Sequence, residues 1–425
     1  MNTDKNKRIG QKRRETNDRH RNMSCKVYEL KIQQNKLSKS QKECLNMYFN
    51  EAKWVFNYIL GLNKVGAVNI FDYNYKQHKN ITKMDKNKQI VNYSLKYLPA
   101  QCYQELVRYI QVDIKSLAKR KSKGHKVGYL KFRTSYDSID LRQYGVSYSI
   151  FPNQNKIKIC GIKKKIKVNG LKQIPNNVEF ANAKLVKKPN GLYLKVTTFS
   201  EKKKSNYKKE IGGIDFGIKT VITTSDGKKY DKITIEESES IKRLQRKILR
   251  NPNKNSNNRY KNRLKLQKAY QKLIDKKKDI ANKIVSDLFK TYKTVCMQDE
   301  LIKLWHSGFH SKTVQHSCLG LIKAKLKQSN RVQLVPSSFP STKLCYICGN
   351  KLSIGLDERI YTCPICGLHE DRDIKAAKTI LNYVLNKLGV GRTEITPVEN
   401  SDPTSTYSII NSEQSDSMKQ EAMKL

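Results

Sequence analysis

Long apolar runs are missing from this sequence: no stretch approaches the roughly 20 apolar residues of a membrane span, and the basic N-terminus lacks the apolar core of a signal peptide. Both absences predict a cytosolic protein with no membrane partner. Acidic residues are scarce as well, 37 Asp and Glu against 85 Lys and Arg, which leaves a formal charge of +48. A soluble surface alone asks for a magnitude of only about 2 to 8 in a small domain. Self-repulsion on the larger scale calls for a polyanion, and nucleic acid is the expected partner. A disulfide framework is missing too. Of ten cysteines, Cys25, Cys44, Cys102, Cys160, Cys296 and Cys318 are scattered, and the other four form two close pairs. That is the usage of reduced thiols with one metal site. The sequence also has no internal repeat and no Gly-rich phosphate loop ending in Lys-Ser/Thr.

What is present suggests two or three domains in 425 residues. Residues 1–24 are polar and basic with almost nothing apolar, so a flexible arm is expected there. "CKVYELKI" alternates as a strand through Val27, Tyr28, Leu30 and Ile32. A helix is expected from Ser40, where Ser40 and Glu43 have capping-box spacing and Leu45, Phe49, Ala52, Phe56 and Ile59 recur at helical intervals. Tyr97 to Lys119 reads as a second helix, so the first quarter should be largely helical. From Gly124 to about Ser200 short alternating runs with Gly and Asn turns predict a β module. Pairing with the strand at 27–32 would make the helical block at 38–123 an insertion into one barrel-like domain, 25–37 with 124–208. Within "KVGYLKFR" the rings of Tyr129 and Phe132 stand among lysines, as in a stacking groove for single strands. Strand core is the reading preferred for each ring.

Beyond a charged linker at 201–210, "GIDFGIKTVITTSDG" reads as strands with a turn at Asp226 and Gly227. Helices over 236–249 and 260–292, strands at "KTVCMQDE" and "NRVQLVPSSF", and a helix from Ile374 to Leu388 complete an α/β order. From 396 to 425 the core pattern fades, and a disordered tail is expected. The fold class predicted is multidomain α+β.

Cys345 and Cys348 form one Cys-x-x-Cys knuckle and Cys363 and Cys366 the other, each followed by a glycine, Gly349 or Gly367. Four thiolates at this spacing close a tetrahedral Zn²⁺ site with no open position, so the metal is expected to be structural. His369 then has no vacancy to fill. The acids are a different matter. Asp215 lies in an apolar strand, where an uncompensated charge facing the core would cost several kcal/mol. Glu300 ends another strand, with Asp299 the adjoining candidate, and Asp371 and Asp373 stand at a helix start. One such acid alone is commonly a cap or a turn residue. Three in one α/β domain can converge, and carboxylate oxygens suit Mg²⁺. Two such ions about 4 Å apart would activate water against a phosphodiester. His306, His310 and His316 match no common ligand set and serve equally well as phosphate contacts.

These motifs resemble a known family. "GIDFGIKTVITTSDG", "QDE" and "STKLCYICGN…YTCPICGLHEDRDIKAAKTIL" are similar to TnpB (OrfB), the transposon-encoded proteins related to compact type V CRISPR effectors. The likeness covers about residues 25–395. It implies an RNase H-like (RuvC-like) α/β nuclease domain over 209–395 with an inserted four-cysteine zinc ribbon at 342–368. It also implies an RNA-guided DNA endonuclease that uses a guide RNA from the transposon end and reads a short motif beside its double-stranded DNA target. Carried over by motif, the catalytic acids holding Mg²⁺ are Asp215, Glu300 and Asp373. A prokaryotic cytoplasm with nucleoid association, and a monomer or homodimer, go with the same resemblance. Family members usually have Asn where Leu301 and Lys375 stand, and Lys375 near a metal-binding carboxylate would compete with the cation. The alternatives are a guide-dependent DNA-binding protein that does not cut, and a three-acid DNA transposase.

Overall fold

The structure is a computed structural model and describes residues 3–389 apart from 75–79, 86, 88, 203–205, 232, 254, 308–309 and 356–357. The tail expected to be disordered, 396–425, lies outside the described residues. Contacts divide the chain into two units, the first made of 1–208, 233–291 and 305–326 and the second of 209–232, 292–304 and 327 onward. Among the described residues no helix is long and apolar enough to cross a membrane.

The first unit opens with a correction. Residues expected as a flexible arm form helix α1 (Thr3–Arg21). Its lysines and arginines are good helix formers, a preference that apolar periodicity does not register. Its C-terminal end is held from outside: Arg19 donates two bonds to the Glu179 carboxylate at 2.8 and 2.9 Å, and His20 stacks on Phe199 with ring centroids 3.7 Å apart.

Strand β1 (Ser24–Ile32) is followed by α2 (Lys39–Lys64), the hairpin β2 (Asn80–Met84) and β3 (Ile90–Ser94), and α3 (Ala100–Ser122). Then come β4 (Ser138–Leu141), β5 (Tyr148–Phe151), β6 (Lys156–Ile159), β7 (Ile166–Asn169), β8 (Glu179–Lys188) and β9 (Gly191–Ser200). The seven-stranded sheet runs β4-β8-β9-β1-β7-β6-β5, all pairs antiparallel. Tyr148 on one edge strand donates to the Ala181 carbonyl of β8 near the other edge, so the barrel nearly closes. The strand at 27–32 therefore joins the later β module, and the helices are inserted between. The apolar set Leu45, Phe49, Ala52, Phe56 and Ile59 of α2 is buried, as its spacing predicts.

Three details of this unit differ from expectation. The cap of α2 is Ser38 with Gln41, a full capping box two residues before Ser40 and Glu43, because Ser-x-x-Gln offers the same pair of bonds as Ser-x-x-Glu. The insertion contains the β2–β3 hairpin as well as helices. Residues 125–133 form no strand, and Tyr129 (93% exposed) and Phe132 (55%) stand in solvent, with Lys64 Nζ 4.5 Å from the Phe132 ring centroid. The unit also contains α4 (Glu239–Leu249), α5 (Asn257–Thr291), α6 (Ser311–His316) and nearly all of α7 (Leu319–Lys327).

The second unit is built on β10 (Lys209–Phe216), β11 (Thr220–Thr224), β12 (Lys229–Asp231), β13 (Tyr292–Gln298) and β14 (Val332–Val335), in the order β12-β11-β10-β13-β14. The three strands of the first hairpins pair antiparallel, whereas β13 and β14 run parallel to β10. The hairpin β15 (Ile360–Thr362) and β16 (His369–Asp371) leads into α8 (Arg372–Lys387). A small core of Cys296, Val335, Ile380 and Val384 joins α8 to the sheet. The approach is so close at Gly213 that a Cβ there would strike the Ala377 carbonyl of α8, while a Cβ on Gly212 would strike the Tyr292 ring of β13, so each of the two glycines before Ile214 has its own reason.

Candidate active site and metal centre

The parallel pairing of β10 and β13 decides where two of the acids lie. Gly213 stands opposite Cys296 and Ile214 opposite Met297, so the C-terminal ends of both strands share one edge of the sheet. Asp215 is the penultimate residue of β10, and Glu300 follows the end of β13 by two. Asp373 enters from the first turn of α8. Asp215 is half-buried. Burial, then the charges of Asp373 and Glu300, push its carboxyl up to about 8, against Arg372 and Lys375. The charges of Asp373 and Glu300 thus resist ionisation of Asp215, the condition a shared cation relieves. The carboxylates do not crowd as the thiols do: among the described residues, the four cysteines alone form a cluster with all ligand atoms within 4.8 Å.

Neighbouring acids have other partners. The Asp299 carboxylate accepts from Lys327 Nζ at 3.0 and 2.9 Å. Asp371 caps α8, accepting from the backbone N–H of Asp373 and Ile374 at 3.0 and 3.1 Å, and it accepts from Lys229 Nζ at 2.7 Å. Burial would raise its pKa, but Lys229 and these amides hold it below the usual carboxylate range. The cap fixes the turn that presents Asp373.

The competition expected from Lys375 is present as charge, since it works against the rise of the Asp215 pKa, but its hydrogen bonds lie elsewhere. Its side chain is fully buried and donates to the carbonyl oxygens of Ser341, Thr342 and Leu344, so its hydrogen bonds go to the segment before Cys345. Burial pulls its pKa down to about 8, opposed by Cys345, Asp215 and Cys363. Leu301 is exposed. Sequence reasoning missed Gln298, a buried polar residue on β13. Its amide donates to the carbonyls of Ser337 and Phe339 at 2.9 and 2.7 Å and accepts from Ser341 Oγ at 2.8 Å. A glutamine one residue before the acidic pair was the available signal.

The thiols interlock across the two knuckles. Cys345 Sγ is 3.6 Å from Cys366 Sγ, and Cys348 Sγ is 3.5 Å from Cys363 Sγ. Four sulfurs about 2.3 Å from a tetrahedral zinc ion stand roughly 3.8 Å apart, so the set fits that metal. Gly349 (φ +76°) and Gly367 (φ +71°) take the left-handed turn of each knuckle and donate to the Cys345 and Cys363 carbonyls at 3.1 and 3.0 Å. Burial raises the Cys363 pKa, but the backbone N–H groups of Cys366 and Ile365 and the neighbouring Cys348 and Cys366 thiols together bring it down to about 6, while Cys348 and Cys366 are raised, so the thiolate is favoured at Cys363. His369 stays outside the set, its Nδ1 2.9 Å from Thr362 Oγ1. His306, His310 and His316 form no ligand cluster among the described residues.

Residues 193–302 match the family model OrfB of IS605 type, described as a probable transposase, and residues 318–380 match the Cas12f1-like TNB domain. The first match carries Asp215 and Glu300, the second the four cysteines and Asp373. A Streptomyces pristinaespiralis protein provisionally named RNA-guided DNA endonuclease is 28% identical over 178 residues, 40% of this chain and 44% of its own length. TnpB-like protein L79 of Acanthamoeba polyphaga mimivirus is 27% identical over 202 residues, 42% of this chain and 38% of its own. The matched part thus spans less than half the length of these curated relatives. A chain in the cryo-EM structure of a Cas12f1–sgRNA–target DNA complex aligns over 84% of this chain and 99% of that one, at TM-score 0.43 and 14% identity. Over residues 193–302 and 318–380, which hold both knuckles, the chain is thus similar to the TnpB (OrfB) family and to its Cas12f1-like TNB domain.

Proposed function

We propose that the chain is an RNA-guided DNA endonuclease that binds a guide RNA and cuts double-stranded DNA beside a short adjacent motif. In this reading 25–37 and 124–208 form a barrel-like wedge, 38–123 is its recognition insertion, and 209–395 is an RNase H-like nuclease domain with a zinc ribbon at 342–368. The observation that carries it is electrostatic: Asp215, Glu300 and Asp373 come from three separated segments, and burial, then the charges of the latter two, push the Asp215 pKa up. A basic excess of 48 charges supplies affinity for nucleic-acid backbones.

Asp215, Glu300 and Asp373 would hold Mg²⁺. When bound, that ion activates a water and stabilises the leaving oxygen of a phosphodiester. The protein's part is to orient: Asp371 fixes the first turn of α8, and the β10–β13 pairing aligns the other two acids. Zinc in the four cysteines would be structural.

The test has two stages. RNA that copurifies with the full chain is sequenced, and a discrete structured RNA from beside its own gene is expected. The complex is then given a matching DNA target and Mg²⁺. Guide-dependent cutting supports the reading. Only random cellular RNA, or strand transfer without guide-dependent cutting, overturns it and favours the transposase.

A further inference from the structure

Lys375 stands two residues after Asp373 and is used by none of the chemistry above, yet it is one of the most constrained side chains in the second unit. It is fully buried. Its ammonium donates to the main-chain oxygens of Ser341 at 3.1 Å, Thr342 at 2.7 Å and Leu344 at 2.9 Å, which uses all three of its donors. The same nitrogen lies 4.1 Å from the centroid of the Tyr361 ring. A buried charge persists only with such compensation.

The three acceptors belong to the segment that runs into Cys345, and Tyr361 precedes Cys363 by two residues. One cation therefore touches the approach to both knuckles. Other groups grip the same segment. Thr379 Oγ1 on α8 donates to the Leu344 carbonyl at 3.2 Å, and Asn382 Nδ2 to that of Tyr346 at 3.0 Å. From the sheet side Ser341 Oγ donates to Gln298. Of the neighbouring cations, Arg372 donates to the Gly355 carbonyl, while Lys378 pairs with Glu370 and reaches the Tyr346 hydroxyl at 3.4 Å.

The electrostatics point the same way. Four thiolates around Zn²⁺ leave two negative charges in excess in a partly desolvated place. The Tyr361 hydroxyl is buried without a hydrogen-bond partner, an O–H available to a thiolate. We propose that Lys375 is the positioning residue that locks the zinc centre to helix α8, holding residues 341–344 by their carbonyls and supplying the counter-charge of the tetrathiolate. The inference rests on zinc occupying the four cysteines and is tested without reference to cleavage.

The experiment uses the full chain purified with zinc. Zinc content is measured first, and release to excess 4-(2-pyridylazo)resorcinol is then followed by absorbance. Lys375→Met keeps the length and the apolar stem but removes the charge and the donors, and release about 10–100-fold faster than wild type is expected, the usual cost of losing a partner behind a metal ligand. Lys343→Met, which removes an exposed charge from the same segment, should release zinc at the wild-type rate. Should Lys375→Met not fold, the wild-type chain still answers. An amine-acylating reagent followed by mass spectrometry should leave Lys375 unmodified while zinc is bound and modify it once zinc is stripped. Equal release from Lys375→Met and wild type, or equal labelling with and without zinc, overturns the proposal while leaving the zinc reading intact. A wild-type chain that holds no zinc refutes the zinc reading itself, and this one with it.

Discussion

The four thiols come from two short loops with fourteen residues between them, whereas the three acids come from positions 215, 300 and 373. Each thiol loop is shaped by its own glycine and its own amide bonds, so the sulfurs stand at near-zinc spacing. The acids have no local device that brings them together. Their placement is inherited from strand pairing and from the docking of α8 on Gly213, and Asp373 and Glu300 oppose the ionisation of Asp215. A site written in local spacing is complete once two turns have formed. A site assembled from distant segments exists only as well as the sheet and helix beneath it.

The sharpest way to break the comparison is to remove one acid. Asp215→Ala should take guide-dependent cleavage to background in a gel assay while zinc content and the bound RNA stay as in wild type. Cleavage at the wild-type rate would remove Asp215 from the centre. The reverse change comes next in size: Cys345→Ser should leave the chain without zinc by mass spectrometry and lower the thermal midpoint by at least several degrees, since a structural metal contributes directly to folding. Full zinc retention would refute the ribbon.

A smaller change sharpens the boundary between the two sites. Asp371→Ala removes the cap of α8 and should cost about 1 kcal/mol in denaturant unfolding. Because the folded carboxyl is held below the usual range, its contribution is present above about pH 4 and lost as pH falls through the folded value. The gap between wild type and variant should therefore narrow in acid, and a gap unchanged from neutral to strongly acidic pH would show that the carboxylate's charge is irrelevant to the cap.

The two sites also differ in how far they can be read from the chain alone. Knuckle spacing, the following glycines and the helical repeat of α2 are short-range patterns, and they are legible. The roles of Asp299 and Lys375 are not, because the first depends on Lys327 and the second on carbonyls more than thirty residues away. Carbonyl groups are present at every residue, so nothing in the letters marks which of them a buried ammonium will find. The same limit explains α1, whose outside holds, Glu179 and Phe199, lie about 160 to 180 residues further on, and the solvent-facing rings of Tyr129 and Phe132, in a basic, aromatic run that joins no strand.

The close seating of α8 on β10 has a consequence for the order of events during synthesis. Residues near 213 leave the ribosome roughly 160 residues before their partner at Ala377, a delay of about 8 to 30 s at typical elongation rates. Until then the sheet carries two of the three acids and an uncovered glycine face. The early basic segments offered to the proposed nucleic-acid partner thus emerge while the proposed cutting centre is still incomplete, and α8 acts as the safety catch.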